Sequence, residues 1–435
     1  MSSLEHGLAA IPSKIHHLCK LAVAVVLTGI GAGLAGMVLA LLLHAIQHLA
    51  YGYGQDALTR HESFLLGVSS ASMQRRVMVM AICGLVAGLG WWAIYRWGRP
   101  LISIKQAVSD KAPLMPVKTT LAHALLQIIT VALGSPLGRE VAPREVGALV
   151  ASTLSQWARL PLDTHRLLVA CGAGAGLAAV YNVPLGGAVF VLEVLLGSFS
   201  WPAALMALTT SAIGASVAWL GLGAESQYVL PQLPLSASLI AFAVLSGPLF
   251  GIAAQGFVRL TGHARKHAAR GWHLPLLALL NFTLIGCLAI ALPQILGNGK
   301  GPAQLGFDSE LSVGLAAVLL LVKLLITSST LRAGAEGGLL TPALAIGALL
   351  AILLGGLWSL AWPGIPLGAF AVIGAAAFLA SSMSMPLTAI VLVAEFTRID
   401  HDFLVPIILA VVGSACASRL WAKFNSPPSR TSVTG

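Results

Sequence analysis

Two Arg-Glu pairs, at 139–140 and 144–145, stand in an otherwise apolar part of the chain, ALGSPLGREVAPREVGALVA. The flanking stretches 119–138 and 146–158 contain no Asp, Glu, Lys or Arg. An ionised carboxylate in apolar surroundings is costly unless dipoles or charges hold it, and such residues often mark the path of an ion or a proton. The pairs are therefore the first candidates for chemistry.

The first pair lies in a glycine-rich segment, GREVAP at 138–143, which precedes a short apolar stretch ending near Ala158. About 15 helical residues span roughly 22 Å, less than the ~30 Å of a bilayer core. We therefore expect a broken helix whose free N–H groups and positive dipole end favour an anion. A similar segment, GAEGGLLTP, occupies 334–342. The two loops could converge on one anion site, or they could be ordinary helix caps near the membrane surface.

An internal repeat positions these segments. NVPLGGAVFVLEV at 182–194 and SMPLTAIVLVAEF at 384–396 each place a glutamate, Glu193 or Glu395, nine residues after a proline. The two prolines lie 202 residues apart, and the prolines that end the two glycine-rich segments lie 199 residues apart. We predict two homologous halves, a pattern typical of transporters whose binding site lies where the repeats meet.

The composition indicates a membrane protein. Of 435 residues, 57% are hydrophobic and 9% are charged, whereas soluble domains carry roughly 25% charged residues. We predict an all-α polytopic membrane domain over 20–423, with repeats at about 20–225 and 235–423. Short segments, 1–19 and 424–435, flank it.

The net charge of +10 does not indicate a nucleic-acid partner, because the basic residues cluster in connections and at the chain ends. This distribution favours cytoplasmic loops and two cytoplasmic termini. Each cluster is expected to lie in solvent or at the membrane surface. The clusters are Lys14/Lys20, Arg75/Arg76, 264–270 and Arg419/Lys423/Arg430.

Three motifs resemble one family. GREVAP resembles the G-R-E-G-P signature of the CLC chloride channels and anion/proton antiporters, and GAEGGLLTP resembles their later G-x-F-x-P segment. NVPLGGAVFVLEV is similar to their proline-led, glutamate-ended helix. The three lie in family order, and the resemblance covers about 20–423. It implies two inverted repeats of short tilted helices, a homodimer with one pore per subunit, contact with membrane lipid, and a prokaryotic protein of the bacterial inner membrane without cytoplasmic nucleotide-binding modules.

The resemblance also implies roles for individual residues. Glu140 is similar to the external gating glutamate, which competes with the anion for one site. The resemblance gives backbone anion ligands at Val141, Leu339 and Leu340. It gives structural motif positions at Gly138, Arg139, Pro143, Gly338 and Pro342. Arg144 and Glu145 are expected to be local and structural.

Several positions depart from the family pattern. The first anion loop of the family falls on GRPLI at 98–102, where Gly98 fits but Arg99 replaces a coordinating serine. Arg99 either raises anion affinity or points to the cytoplasm, and we favour the second. Val194 occupies the place of the internal proton glutamate, which leaves the adjacent Glu193 as a possible proton-pathway residue. The late pore tyrosine has no clear match.

The function predicted from the sequence is transport of a small inorganic anion, most simply chloride, through a glutamate-gated and in some relatives voltage-gated pore. The alternative is a fluoride/proton antiporter of the same family, and a carrier of organic anions with an unrelated fold is the alternative of a different class. An enzyme is not expected, since the sequence contains no H-E-x-x-H, no G-x-S-x-G and no Asp pair in an apolar helix. No catalytic residue, metal site or cofactor is predicted, and protons remain a possible second substrate. Glu395 either caps or packs a helix, which we favour, or belongs to a proton pathway.

Overall fold

The computed structural model describes residues 2–53 and 63–425, with side chains described for 18–53 and 63–424. These residues form seventeen α-helices, and the only β-pairing among them is one isolated bridge. In chain order the helices are α1 Ser2–Tyr51, α2 Phe64–Ser70, α3 Met73–Trp97, α4 Ile104–Ala107, α5 Val117–Ala132, α6 Val141–Trp157, α7 Leu162–Tyr181, α8 Pro184–Phe190, α9 Trp201–Leu222, α10 Ala237–Lys266, α11 Leu274–Ala291, α12 Lys300–Phe307, α13 Val313–Arg332, α14 Leu340–Ala361, α15 Leu367–Met383, α16 Pro386–Thr397 and α17 Leu404–Asn425. The predicted all-α fold is confirmed.

Among the described residues, eight helices are long and apolar enough to cross a bilayer. Their outward faces carry exposed leucines, such as Leu284 at 65% and Leu321 at 63% exposure, which suits a lipid environment. The chain is an integral, multi-pass membrane protein. The eight segments are Leu18–Tyr51, Met73–Trp97, Trp201–Leu222, Ala237–Lys266, Leu274–Ala291, Val313–Arg332, Leu340–Ala361 and His401–Phe424.

The second half repeats the helix order of the first. Within the first half α1 packs on α9 and α6 packs on α7, and within the second half α10 packs on α17 and α14 packs on α15. The halves meet where α3 packs on α11 and α8 packs on α16. The two glycine-rich loops pair antiparallel, as expected for segments related by a twofold axis. The predicted pair of inverted repeats is therefore confirmed.

Helix α6, which follows the first Arg-Glu pair and contains the second, begins at Val141, before Pro143. Helix α6 has 17 residues, about 25 Å at the helical rise, which is shorter than a bilayer core of about 30 Å. Pro143 is the third helical residue, where the N–H has no partner within the helix, so proline is tolerated. Gly172 and Gly176 of α7 bring that helix close to α6, because a Cβ at either would overlap a backbone carbonyl oxygen of α6.

The Arg75/Arg76 cluster was predicted to lie in solvent or at the membrane surface, but Arg76 is buried. The Arg76 side chain is only 8% exposed. Its guanidinium donates to the carbonyl oxygens of Val68 at 2.8 Å, Ser69 at 2.7 Å and Ala289 at 3.1 Å. Arg75 donates to two carbonyls at the end of α1. These arginines satisfy carbonyls at helix ends, so the expectation of a solvated cluster was wrong for Arg76.

The predicted boundaries at the chain ends differ from the helix boundaries. Helix α1 runs without a break from Ser2 through the expected boundary at 19/20. At the other end, α17 continues to Asn425. The rest of the predicted tail, 426–435, lies outside the described residues.

Candidate anion site

The two glycine-rich loops meet through one pair of residues. The Gly138 N–H donates to the Gly338 carbonyl oxygen at 2.7 Å, and the Gly338 N–H donates back to Gly138 at 2.9 Å. Since α6 begins at Val141 and α14 begins at Leu340, this pair brings two helix starts together, one from each repeat. Both starts contribute free N–H groups and a positive dipole end.

The Glu140 side chain occupies the junction of these helix starts. It is only 1% exposed, and its Oε1 accepts a hydrogen bond from the Leu340 N–H at 2.7 Å. Glu140 is the N-cap residue of α6, yet its side chain makes no capping bond to that helix. The carboxylate instead stands at the start of the helix from the other repeat, where an anion would be favoured.

Two glycines provide the space for this carboxylate. A Cβ built on Gly138 or on Gly338 would overlap carboxylate atoms of Glu140. Neither glycine has a positive φ, so their role here is the absence of a side chain and not an unusual backbone conformation. The carboxylate therefore lies between the backbones of Gly138 and Gly338 and against the Leu340 N–H. We call this position the seat.

Two hydroxyl groups complete the surroundings of the carboxylate. The Tyr181 hydroxyl, at the end of α7, lies 3.3 Å from Glu140 Oε2 and donates to it. The Tyr181 and Thr341 hydroxyl oxygens lie 3.0 Å apart. Both residues are 4% exposed. The sequence analysis predicted neither residue. For Tyr181 a signal was present, because it is the single tyrosine at the end of the small-residue segment GAGAGLAAVY, directly before the NVPLGG motif.

A small cavity with two basic side chains lies beside the seat. About 10 Å³ of it is open to the centre of a water molecule, roughly the space that one water needs. Arg139 and Lys300 supply the positive charge, and Arg139 also donates to Gln227 at 3.3 Å. This cationic cavity is lined by Arg139, Tyr181, Gln227, Tyr228, Asn298, Lys300, Thr341 and Phe396.

The model of the family described as voltage gated chloride channel matches residues 83–419. That range holds both glycine-rich loops, Glu140 and both repeated glutamates. The chain belongs to the CLC family.

Named relatives agree with this membership, and solved structures share the fold. The voltage-gated ClC-type chloride channel ClcB of Yersinia pestis is 32% identical over 404 residues, which cover 88% of this chain and 95% of the relative. The ClcB channel of Citrobacter koseri is 29% identical over 379 residues, with 82% and 87% covered. A slow cyanobacterial Cl⁻/H⁺ antiporter has a TM-score of 0.79 at 19% identity, with 92% and 95% covered. A CLC-type fluoride/proton antiporter has a TM-score of 0.67 at 21% identity, with 93% and 96% covered.

The CLC motif residues take different positions around the seat. Val141 is the first residue of α6, and Leu339 is the N-cap of α14 and is 9% exposed. Of the three predicted backbone ligands, Leu340 is the one whose N–H contacts Glu140. Pro342, like Pro143, is the third residue of its helix.

The expected first anion loop of the CLC pattern makes no hydrogen bond to this cluster among the described residues. Gly98 is the C-cap residue directly after α3, and both Gly98 and Arg99 are exposed. The Arg99 N–H donates to Thr119 Oγ1 at 3.2 Å. In the part of the chain that the structure describes, neither residue hydrogen-bonds to Glu140 or to the start of α14. The structure thus brings Glu140 and Leu340 together but not these two residues.

The second Arg-Glu pair has structural contacts, as expected. The Arg144 Nε donates to the Glu140 carbonyl oxygen at 3.0 Å. Glu145 Oε2 lies 3.0 Å from His123 Nδ1 of α5, and Gln127 donates to the same oxygen at 3.4 Å. Arg144 holds the backbone of Glu140, and Glu145 connects α6 to α5.

The repeated glutamates cap each other's helices. Glu193 accepts from the N–H groups of Leu387 at 3.0 Å and Thr388 at 2.7 Å, and from the Thr388 hydroxyl. Glu395 accepts from the N–H groups of Leu185 at 3.0 Å and Gly186 at 2.6 Å. The predicted capping role of Glu395 is confirmed, and Glu193 has the same role on α16.

Proposed function

We propose that this CLC protein transports small inorganic anions, chloride foremost, and that Glu140 gates the pore. The observation that carries the proposal is the Glu140 carboxylate on the Leu340 N–H, at the junction of two helix starts. A carboxylate is itself an anion, so a site that holds it with backbone dipoles can hold a halide in its place. The names of the ClcB relatives support chloride as the substrate.

Gating follows from competition for this seat. With Glu140 ionised and seated, its oxygens use the donors that an entering anion needs. Protonation removes the negative charge that the helix starts attract, so the neutral side chain leaves more readily and an anion binds in its place. Arg139 and Lys300 in the cationic cavity raise the local anion concentration beside the seat.

Fluoride/proton antiport is the second candidate. The specific observation in its favour is Arg99, which stands where a coordinating serine is expected in chloride-transporting relatives. The likeness to a fluoride/proton antiporter supports the fold alone, because the identity is 21%. In either case proton coupling would need an internal donor, for which the sequence offers Glu193 beside Val194.

We further propose a homodimer in the bacterial inner membrane, in contact with lipid and with both termini cytoplasmic. The eight apolar helices and the basic chain ends support this placement. The segments 1–19 and 424–435 would then face the cytoplasm. Each subunit would have its own pore, because both loops of the seat belong to one chain.

The test is ion flux from liposomes that contain the purified protein. Chloride efflux, fluoride efflux and proton movement are recorded together, with protein-free liposomes as the control. Chloride flux well above the control supports the proposal, and fluoride flux far above chloride flux would favour the second candidate. Flux of an organic anion without chloride or fluoride flux would contradict both.

A further inference from the structure

Tyr181 stands between the Glu140 carboxylate and the cationic cavity. Its hydroxyl reaches Glu140 Oε2 at 3.3 Å, and its ring is one wall of the cavity. The ring is fixed on both sides: the Arg139 guanidinium lies 5.2 Å from its centre, and the Phe396 ring lies 5.3 Å away at 62°. Tyr181 is therefore a buried, well-held side chain whose polar end points at the gate.

The hydrogen-bonding capacity of the two hydroxyls sets their direction. A phenol has a single proton, so when Tyr181 donates to the carboxylate, Thr341 must donate to the Tyr181 oxygen. The result is a chain from Thr341 through Tyr181 to Glu140 Oε2, in which each bond strengthens the next. Together with the Leu340 N–H on Oε1, this gives a donor to each oxygen of the ionised carboxylate.

We propose that Tyr181 is a positioning residue that latches the ionised Glu140 carboxylate in its seat, with Thr341 as its support. The proposal deepens the proposed function and rests on it, since a latch matters only if Glu140 leaves its seat during transport. A donor to the charged form favours that form. With the hydrogen bond from Tyr181, the gate therefore stays closed down to a lower pH than it would with the two helix N-termini alone.

Other charged or titratable groups lie around the carboxylate and the cationic cavity. Arg144 on α6 and Tyr228 in the connection before α10 interact electrostatically with Glu140, and Glu145 on α6 interacts with Arg144. Arg139 in the loop before α6 and Lys300 on α12 line the cavity. Arg139 also hydrogen-bonds to Tyr181, so a change in pH dependence is assigned to the latch only by comparison with the Glu140→Gln background.

The experiment measures anion flux against pH for Tyr181→Phe in liposomes. We expect flux at neutral pH to rise about fivefold, equal to about 1 kcal/mol for one lost hydrogen bond. The pH of half-maximal flux should rise by about 0.7 unit. Thr341→Val removes the supporting hydroxyl and should shift both quantities in the same direction by less.

Tyr51→Phe is the matched control, because it removes a buried phenol hydroxyl that lies outside the seat and outside the cationic cavity. The Tyr51 hydroxyl, at the end of α1, donates to the Leu133 carbonyl oxygen at 2.8 Å, and among the described residues it has no hydrogen bond to Glu140. The flux and pH profile of Tyr51→Phe should equal those of the unmodified protein. A Tyr51→Phe profile that shifts as far as that of Tyr181→Phe would overturn the latch.

A double substitution separates the latch from other effects of Tyr181. In the Glu140→Gln background no ionised carboxylate exists, so Tyr181→Phe should change neither flux nor pH dependence. The proposal is overturned if Tyr181→Phe behaves as the unmodified protein, or if its effect is equally large in the Glu140→Gln background. If Glu140→Gln alone changes nothing, the gate itself fails, and the latch fails with it.

Discussion

At the residue scale, the seat of Glu140 depends on two positions that lack side chains. Gly138 and Gly338 pair through their backbones, and the carboxylate lies against both. The three nearest atoms that a new Cβ would meet at Gly338 all belong to the Glu140 carboxylate. A small substitution there would therefore displace this carboxylate first.

Gly338→Ala should therefore push the carboxylate out of its seat. We expect flux at neutral pH to rise several-fold and to lose most of its pH dependence, because the closed state is lost by steric overlap. Gly262→Ala in α10 is the control, since a Cβ there meets nothing within 4 Å. Anion flux against pH for both variants checks the prediction, and an unchanged Gly338→Ala profile would show that the carboxylate is not seated there in the closed protein.

Lys300→Gln tests the charge of the cationic cavity. Anion flux at low anion concentration and about 0.01 M ionic strength should fall a few-fold. The difference from the unmodified protein should disappear near 1 M salt, where the screening length is about 3 Å. Lys300→Arg keeps the charge and should keep the flux. A loss in Lys300→Gln that does not depend on salt would contradict the electrostatic role.

At the scale of elements, the interface between the repeats is held by exchanged caps. The carboxylate of Glu193 lies on the first turn of α16, and that of Glu395 lies on the first turn of α8. Each helix begins with proline. Each carboxylate accepts hydrogen bonds from the free N–H groups of the residues that follow this proline, and it lies at the positive end of the helix dipole. The caps join the two repeats.

Glu193→Gln and Glu395→Gln should each destabilise the protein by roughly 1 kcal/mol. The apparent melting temperature of the detergent-purified protein should fall for each variant, and further for the double variant. Glu310→Gln changes an exposed glutamate and should leave it unchanged. If Glu193→Gln lost proton movement while keeping its melting temperature, Glu193 would be a proton-pathway residue and the capping account would be wrong.

The sequence predicted the elements better than their contacts. Proline-led segments and matching glutamate offsets were sufficient to predict the broken helices and the repeat, because those signals are local. Tyr181 could not be predicted as a neighbour of Glu140, since their contact depends on how α7 packs on α6. The burial of Arg76 was missed for the same reason: its carbonyl partners include Ala289, 213 residues away.

At the scale of the whole molecule, a single chain completes the seat. Glu140 comes from the first repeat and Leu340 from the second, so no residue from another subunit is needed. For the proposed homodimer, a covalently linked pair of chains with one Glu140→Gln subunit should show flux equal to the mean of the two parent proteins at every pH. Flux equal to either parent would indicate that the two subunits do not conduct independently.

The most direct measurement of the central claim compares the unmodified protein with Glu140→Gln in liposomes, with anion flux recorded from acidic to alkaline pH. Glutamine keeps the shape of the side chain but carries no negative charge, so it cannot compete as an anion for the Leu340 N–H. The account predicts that flux through the unmodified protein rises on acidification and that flux through Glu140→Gln is high and independent of pH. Equal flux with equal pH dependence in the two proteins would contradict the assignment of Glu140 as the gate.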